Sequence, residues 1–379
     1  MKKYCFVKFL LCTYIAALAT PLSASTFTDW KEFPADPIYA PFPSLNVLVK
    51  EDYFPVVFNQ DSFNGHGHRV LYKMWHQGPN GIALSYSNDG INWNLQSEVI
   101  LDPNAFHPNV VYDKKGFGGG PYHYKMWYWT GYSNPVPPDL AINFTQSTDG
   151  INWTAPVATT QDLTFFLSNY SAPSTPFHQF YGLGPVIYNA SATSIPGRPF
   201  TFPYVVFYDS SAAEIPPFTS QEAVALAYSD DGLNWIRYGS DPVLIPSGNM
   251  ADWDGKYAYH ASVIKLDLDN RYHMFYSGSN DSATTFGYAH GIGHASSLDG
   301  INWTKDPDNP IFSITDGVFW RSRRTLAPSV VMAHGEHLPG NTHCPILLQM
   351  WFSGGSSDSD EAIGYATLPD PKRCRKQIK

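Results

Sequence analysis

The stretch Asp252-Trp253-Asp254-Gly255-Lys256-Tyr257-Ala258-Tyr259-His260 gathers two carboxylates, three aromatic rings, an ammonium and an imidazole within nine residues. Aromatic faces stack on the apolar faces of a pyranose, while carboxylates and imidazoles hydrogen-bond its hydroxyls, so this composition suits sugar recognition. The competing reading packs Trp253 into a core and makes its neighbours a turn. A second stretch, Phe319-Trp320-Arg321-Ser322-Arg323-Arg324, brings three guanidinium groups together. Guanidinium pairs bidentately with carboxylate, sulfate or phosphate. Trp320, Arg321 and Arg324 therefore fit an acidic sugar, or equally ion pairs with Glu51, Asp252 and Asp254. His107 and His260 suit substrate contact, ion ligation or a structural role. Asp52, with Glu51 beside it, and the acids Asp209, Glu214 and Glu222 complete the candidates for proton transfer.

Repetition sets where these residues stand. The heptads Ser87-Asn88-Asp89-Gly90-Ile91-Asn92-Trp93, Ser147–Trp153, Ser229–Trp235 and Ser297–Trp303 share one pattern, so the chain is an array of one supersecondary unit. Asp-Gly between extended runs signals a hairpin, because glycine supplies the positive φ that the tight turn demands. Asp89, Asp149, Asp231 and Asp299 accordingly read as turn formers.

Each unit opens with a β-branched run, as in Val110-Val111-Tyr112 and Val263-Ile264-Lys265. An aromatic run follows, as in Tyr124-Lys125-Met126-Trp127, then a third strand into the Asp-Gly turn and a fourth after the Trp. Four strands in meander order make a propeller blade, and five first strands predict an all-β, five-bladed β-propeller. With five first strands but four heptads, the missing outer strand is assigned to the segment around Trp30, which closes the ring on the last blade. Meander order puts the Asp-Gly turns on one face. The inner-strand starts and the loops carrying Asp209, Glu214, Glu222, Asp358, Asp360 and Glu361 fall on the other, around the channel. His66 and His68 fall on the turn face, His178 and His290 in long loops on the open face.

The succession Tyr-x-Met-Trp/Phe-Tyr-Ser-Gly, Ile-Gly-x-Ala and Ser-x-Asp-Gly-Ile-Asn-Trp-Thr resembles the secreted five-bladed propellers of the arabinanase, xylosidase and fructosidase-like glycoside-hydrolase superfamily. The resemblance spans nearly all of the chain after the leader. It implies a glycan or oligosaccharide partner, and three catalytic acids at inner-strand starts. At the corresponding stretches this chain carries Phe54 before Pro55, Asn109 after Pro108 and Leu183 before Gly184. None of these can ionise, and glycoside hydrolysis ordinarily needs two carboxyl groups. Either the acids have moved, with Asp52 as base or nucleophile and Asp254 or Glu222 as acid, or the pocket binds glycan through His107, Asn109, Trp253, His260, Trp320, Arg321 and Arg324 without cleaving it. A protein-interaction scaffold is the third reading.

Bulk composition agrees with a single all-β domain. The chain has 379 residues, 16% aromatic and 15% charged, with no long Gly/Ser or Pro tract. A formal charge of −9 argues against a nucleic-acid partner. Lys2, Lys3 and the apolar run to Ala19 predict a signal peptide over 1–24, hence a secreted or periplasmic monomer with no membrane span after cleavage. The domain is assigned to 25–371 and a basic tail to 372–379. Cys344 and Cys374 remain after leader removal, able to pair or to stay free, and they offer no zinc site. No cofactor or metal is expected.

Overall fold

Each β-branched run pairs with the aromatic run behind it. The computed structural model describes residues 27–40, 56–59, 70–130, 141–159, 177–212, 221–239, 241–280, 291–333, 344–357 and 361–374. Its first strand is β1 (Lys31–Glu32). Then β2 (Val56–Asn59), β3 (Tyr72–Gly78), β4 (Gly81–Ser87) and β5 (Trp93–Ile100) form one antiparallel meander. A second comprises β6 (Phe106–Tyr112), β7 (Tyr124–Thr130), β8 (Ala141–Ser147) and β9 (Val157–Ala158). A nine-stranded sheet follows. Its strands are β10 (Phe177–Tyr188), β11 (Tyr204–Ala212), β12 (Gln221–Ser229), β13 (Ile236–Arg237), β14 (Tyr257–Leu266), β15 (Arg271–Ser279), β16 (Gly291–Ser297), β17 (Thr304–Lys305) and β18 (Phe312–Ser313). It is two antiparallel meanders, β10–β13 and β14–β18, joined by one parallel bridge from Glu222 to Tyr257. The last sheet holds β19 (Arg324–Met332), β20 (Ile346–Gly355) and β21 (Ala362–Pro369).

β1 completes that last sheet antiparallel to β21, Lys31 opposite Thr367 and Glu32 opposite Ala366. An ion pair holds it there. The guanidinium of Arg321, 2% exposed, donates through Nε and Nη2 to both oxygens of Glu32, and Trp320 Nε1 donates to Glu32 Oε1 at 3.0 Å. Cys344 and Cys374 form a disulfide that ties the chain's end to the same sheet.

The heptads build contacts between sheets as well as turns. In each, the Ser hydroxyl accepts the Gly N–H, and one Asp oxygen accepts the next two backbone N–H groups. Burial, the largest single influence, raises the Asp299 carboxyl, but hydrogen bonds from the N–H groups of Asn302 and Ile301, the Asn302 amide and the Ser297 hydroxyl together hold it down to about 2. Glycine is required twice over. Gly232 has φ of 77°, and a Cβ there would lie 2.7 Å from Trp127 of the preceding meander. Trp127 Nε1 donates to Gly232 O at 2.7 Å, Trp75 to Gly150 O at 3.2 Å, and Trp351 to Gly90 O at 2.7 Å. Trp75, Trp127 and Trp351 are fully buried, so the largest core side chains seat on the next unit's turn.

The opening strands β2, β6, β10, β14 and β19 border one cavity of about 210 Å³, lined among others by Val57, Pro108, Gly184, His260 and Ala327.

Candidate functional site

Ladder register shows which residues are equivalent around this cavity. Val110, Val186, Val263 and Val330 stand opposite Met126, Val206, Met274 and Met350. Three residues earlier come His107, Leu183, His260 and Ala327. His107, His260 and Ala327 have φ of 49°, 47° and 50°, each inside a register shift of its ladder. Such bulges re-aim a side chain. The His107 and His260 rings meet edge to face at 5.3 Å, and His107 also packs edge-on against Trp129 at 5.3 Å.

The bulge exposes a backbone N–H that the ladder no longer satisfies. The second strand of the preceding meander supplies the acceptor. Asp209 Oδ1 takes the His260 N–H at 2.9 Å, and Ser277 Oγ takes the Ala327 N–H at 2.9 Å. Asp209 is 1% exposed. Its Oδ2 makes no hydrogen bond among the described residues and faces His260 Nε2 at 3.6 Å.

Glu222 joins this group across the ladder. Asp209 pairs with Val224 and Ser211 with Glu222, so the two carboxyl groups lie diagonally on one face of the β11–β12 pair. Burial, then the Asp209 charge, push Glu222 up to about 8, while Lys256 opposes them. Burial likewise pushes Asp209 up to about 8, against the His260 N–H. Desolvation lowers His260 to about 3, and holds His107 well below the ordinary imidazole range with help from His260. Burial thus disfavours charge throughout the cluster, lowering the proton affinity of both imidazoles and raising that of both carboxyl groups. Lys256, 5% exposed, and the Tyr257–Tyr259 ring pair, 6.0 Å apart, border it. Tyr257 and Tyr259 pack with Leu326 and Ala327 of β19.

Several sequence candidates take structural positions instead. Asp254 is bonded to Lys305 and to Tyr276 Oη, so its carboxylate is spent on an ion pair away from the cavity. Trp253 packs on Gly278, Gly293 and Tyr276, where the absence of a Cβ admits the indole. Trp320 lies on Gly354 and Gly364, and with Arg321 secures β1. Arg324 is fully buried and donates to Glu361 Oε1 at 2.6 Å. Asn109 borders the cavity, yet its Nδ2 donates to Gly184 O and its Oδ1 accepts the Val186 N–H. Both ends of that amide thus bind β6 to β10, as Ser262 Oγ binds β14 to Val330 N of β19. Asn109 and Leu183 are not in register with one another; His107 is the residue equivalent to Leu183. Glu51, Asp52, Phe54, His66, His68, Glu214, His290, Asp358 and Asp360 lie outside the described residues, as do the side chains of His178 and Leu183. Of the sequence candidates the structure thus brings together His107, His260, Asp209 and Glu222, with Lys256 beside them. Asp209 and Glu222, expected on loops between second and third strands, stand within β11 and β12 instead.

No family model matches the chain, and no curated protein does. Solved structures do match, and they define a class: the chain has the fold of the glycoside-hydrolase-like propellers. One is a glycoside hydrolase with a TM-score of 0.58 at 16% identity, over 84% of this chain and 87% of that one. A thermostable family-43 glycoside hydrolase gives 0.52 at 17% identity, over 84% and 89%. An N-acetylgalactosamine deacetylase from F. plautii, solved with blood group B trisaccharide, gives 0.55 at 15% identity, over 91% and 97%. Likeness at these identities concerns the fold.

Proposed function

We propose that this chain is a secreted or periplasmic carbohydrate-active protein that takes a glycan at the open end of a channel. One observation carries the reading: His107, Asp209, Glu222, Lys256, Tyr257 and Tyr259 gather from three neighbouring meanders around His260, which lines the cavity. Tyrosine faces and a mixed set of donors and acceptors suit a sugar ring and its hydroxyls. In this reading the mature domain, 25–371, is a monomeric five-bladed ring. The pairing of β1 with β21, the bond from Trp351 to Gly90, and a cavity bordered by five opening strands support closure. Residues 1–24 act as its leader. The described residues contain no helix long and apolar enough to cross a membrane.

A second reading, glycan binding without cleavage, is favoured by Asn109, whose amide is consumed by the backbone at a position where the resembled enzymes carry an acid. The experiment is a glycan array probed with the purified mature chain, each bound glycan then being assayed for cleavage. Binding with cleavage establishes an enzyme. Binding alone establishes a lectin-like protein, and no binding refutes both readings in favour of a scaffold.

A further inference from the structure

We propose that His273 and His294 form a pH-sensitive clasp for the N-terminal segment: together they hold one proton more than two neutral imidazoles carry, shared across the bond between them, and Phe27 seats on the resulting cation.

The side chains of Asp269, His273, His294 and Asp306 make one unbroken row. Asp269 Oδ2 faces His273 Nε2 at 3.2 Å, His273 Nδ1 meets His294 Nε2 at 3.0 Å, and His294 Nδ1 meets Asp306 Oδ2 at 3.2 Å. Each contact needs one hydrogen between its two atoms. Two neutral imidazoles supply two hydrogens, and ionised carboxylates supply none. With only two, one of the three contacts sets lone pair against lone pair. A third proton closes the row. It also halves the charge of two carboxylates whose side chains are only 6% and 1% exposed.

Phe27 covers both imidazoles. Its ring, 3% exposed, lies 4.1 Å from His273 at 31° and 4.9 Å from His294 at 20°. An aromatic face attracts a cation lying over it, so a shared imidazolium holds Phe27 more firmly than neutral rings would. Phe27 in turn fixes its segment. Its carbonyl accepts Trp30 Nε1–H at 2.9 Å, and β1 starts at Lys31.

Burial, the facing imidazole and Arg271 oppose charge on His273, while Asp269 favours it. Burial opposes charge on His294, while Asp306 and Asp269 favour it. Taken singly, each ring loses proton affinity to burial. For the pair, the third proton removes a lone-pair contact at 3.0 Å, so it is retained above the 6.5 of an ordinary imidazole. The unfolded chain gives that proton up near 6.5. The clasp's stabilisation is therefore complete below that pH and is lost as pH rises through the folded pair's own value.

The mature chain is labelled with nitrogen-15 at histidine, and the ring-nitrogen resonances of the pair, assigned through their contacts to Phe27, are followed from pH 5 to 9. At pH 7 they should show three protonated ring nitrogens, falling to two at higher pH. Amide exchange at Phe33, whose N–H donates to Tyr365 O at 2.9 Å, reads the fastening of β1. Corrected for its intrinsic pH dependence, opening there should rise by up to about tenfold per pH unit between 6.5 and the release of the third proton. In His294→Gln that slope should vanish, and in Phe27→Leu the release should move to lower pH. Two protonated ring nitrogens throughout the range would overturn the shared proton, and this count decides even where a variant fails to fold. An unchanged slope in His294→Gln would overturn the clasp, and an unmoved release in Phe27→Leu would overturn the seating of Phe27 on a cation.

Discussion

Asn309 and Asp36 occupy matching places beside the third strands of their sheets, and only Asn309 makes both available bonds. Its Oδ1 accepts His294 N–H at 2.7 Å and its Nδ2 donates to His294 O at 2.9 Å. Asp36 accepts Tyr365 N–H at 3.0 and 3.1 Å, and burial pushes its carboxyl up to about 8 against that bond. The folded state thus binds a proton that the unfolded chain releases near pH 4, and stability falls as pH rises between those values. Asp36→Asn should stabilise the protein by about 1 kcal/mol at pH 8 and by much less at pH 5. Thermal midpoints of both proteins between pH 5 and 9 check this; equal gains at the two ends would refute it.

Asn109→Asp tests the bond between neighbouring inner strands. A carboxylate can still accept Val186 N–H, but it sets a second oxygen against Gly184 O, where the native amide donates. The expected cost is about 1–3 kcal/mol at neutral pH. Protonation would restore a donor, so the variant's folded carboxyl pKa must be raised and its deficit must shrink as pH falls toward 4. Urea unfolding at pH 4.5 and 7.5 reads the difference. A deficit that grows on acidification would contradict the assigned geometry.

Gly232→Ala probes the seat between sheets. The new methyl would lie 2.7 Å from Trp127 Cζ2, on a backbone held at φ of 77°. Positive φ alone costs an L-residue about 1 kcal/mol, and displacement of a fully buried indole adds to it. We expect a loss of about 2–4 kcal/mol by chemical denaturation. The same change at Gly248, where φ is 76° but no atom lies within 4 Å, should cost only the backbone part. Equal losses at the two sites would show that Trp127 plays no part.

These examples separate what was legible in the sequence from what was not. The strand order followed from repeated β-branched and aromatic runs, because every unit must bury the same face. The N-terminal strand followed from a missing outer strand at the other end, and β1 pairs where that count required. The second duty of Gly90, Gly150 and Gly232, receiving a tryptophan from another unit, left no local trace because the partner lies far along the chain. The site was harder for the same reason. Asp254, Trp253, Arg321 and Arg324 have the residue types of a sugar site, but their partners Lys305, Gly278, Glu32 and Glu361 are set by tertiary packing. Asp209 reads from the sequence as a loop acid, but it sits inside the aromatic strand β11, where its carboxyl accepts the N–H freed by the bulge at His260.

The clamp on β1 yields the last prediction. Arg321 is bound by Glu32, Asp316 and the carbonyl of Ser313, and its charge is almost wholly buried. Removing the guanidinium leaves Glu32 unpaired beside the indole of Trp320, and breaking such a pair costs about 3 kcal/mol or more when both groups are dry. Glu32 keeps 18% side-chain exposure, so Arg321→Met should lose somewhat less, about 2 kcal/mol. The loss should be local. Amide exchange at Glu32, Phe33 and Thr367 should accelerate before exchange in β3 or β7 does, because β1 holds only two ladder residues. Asp36 supplies a second readout, since the Arg321 charge is among the groups that lower its carboxyl pKa. Arg321→Met should therefore extend the loss of stability with rising pH to higher pH. Uniform exchange across all sheets would instead mean that β1 opens only with the whole molecule.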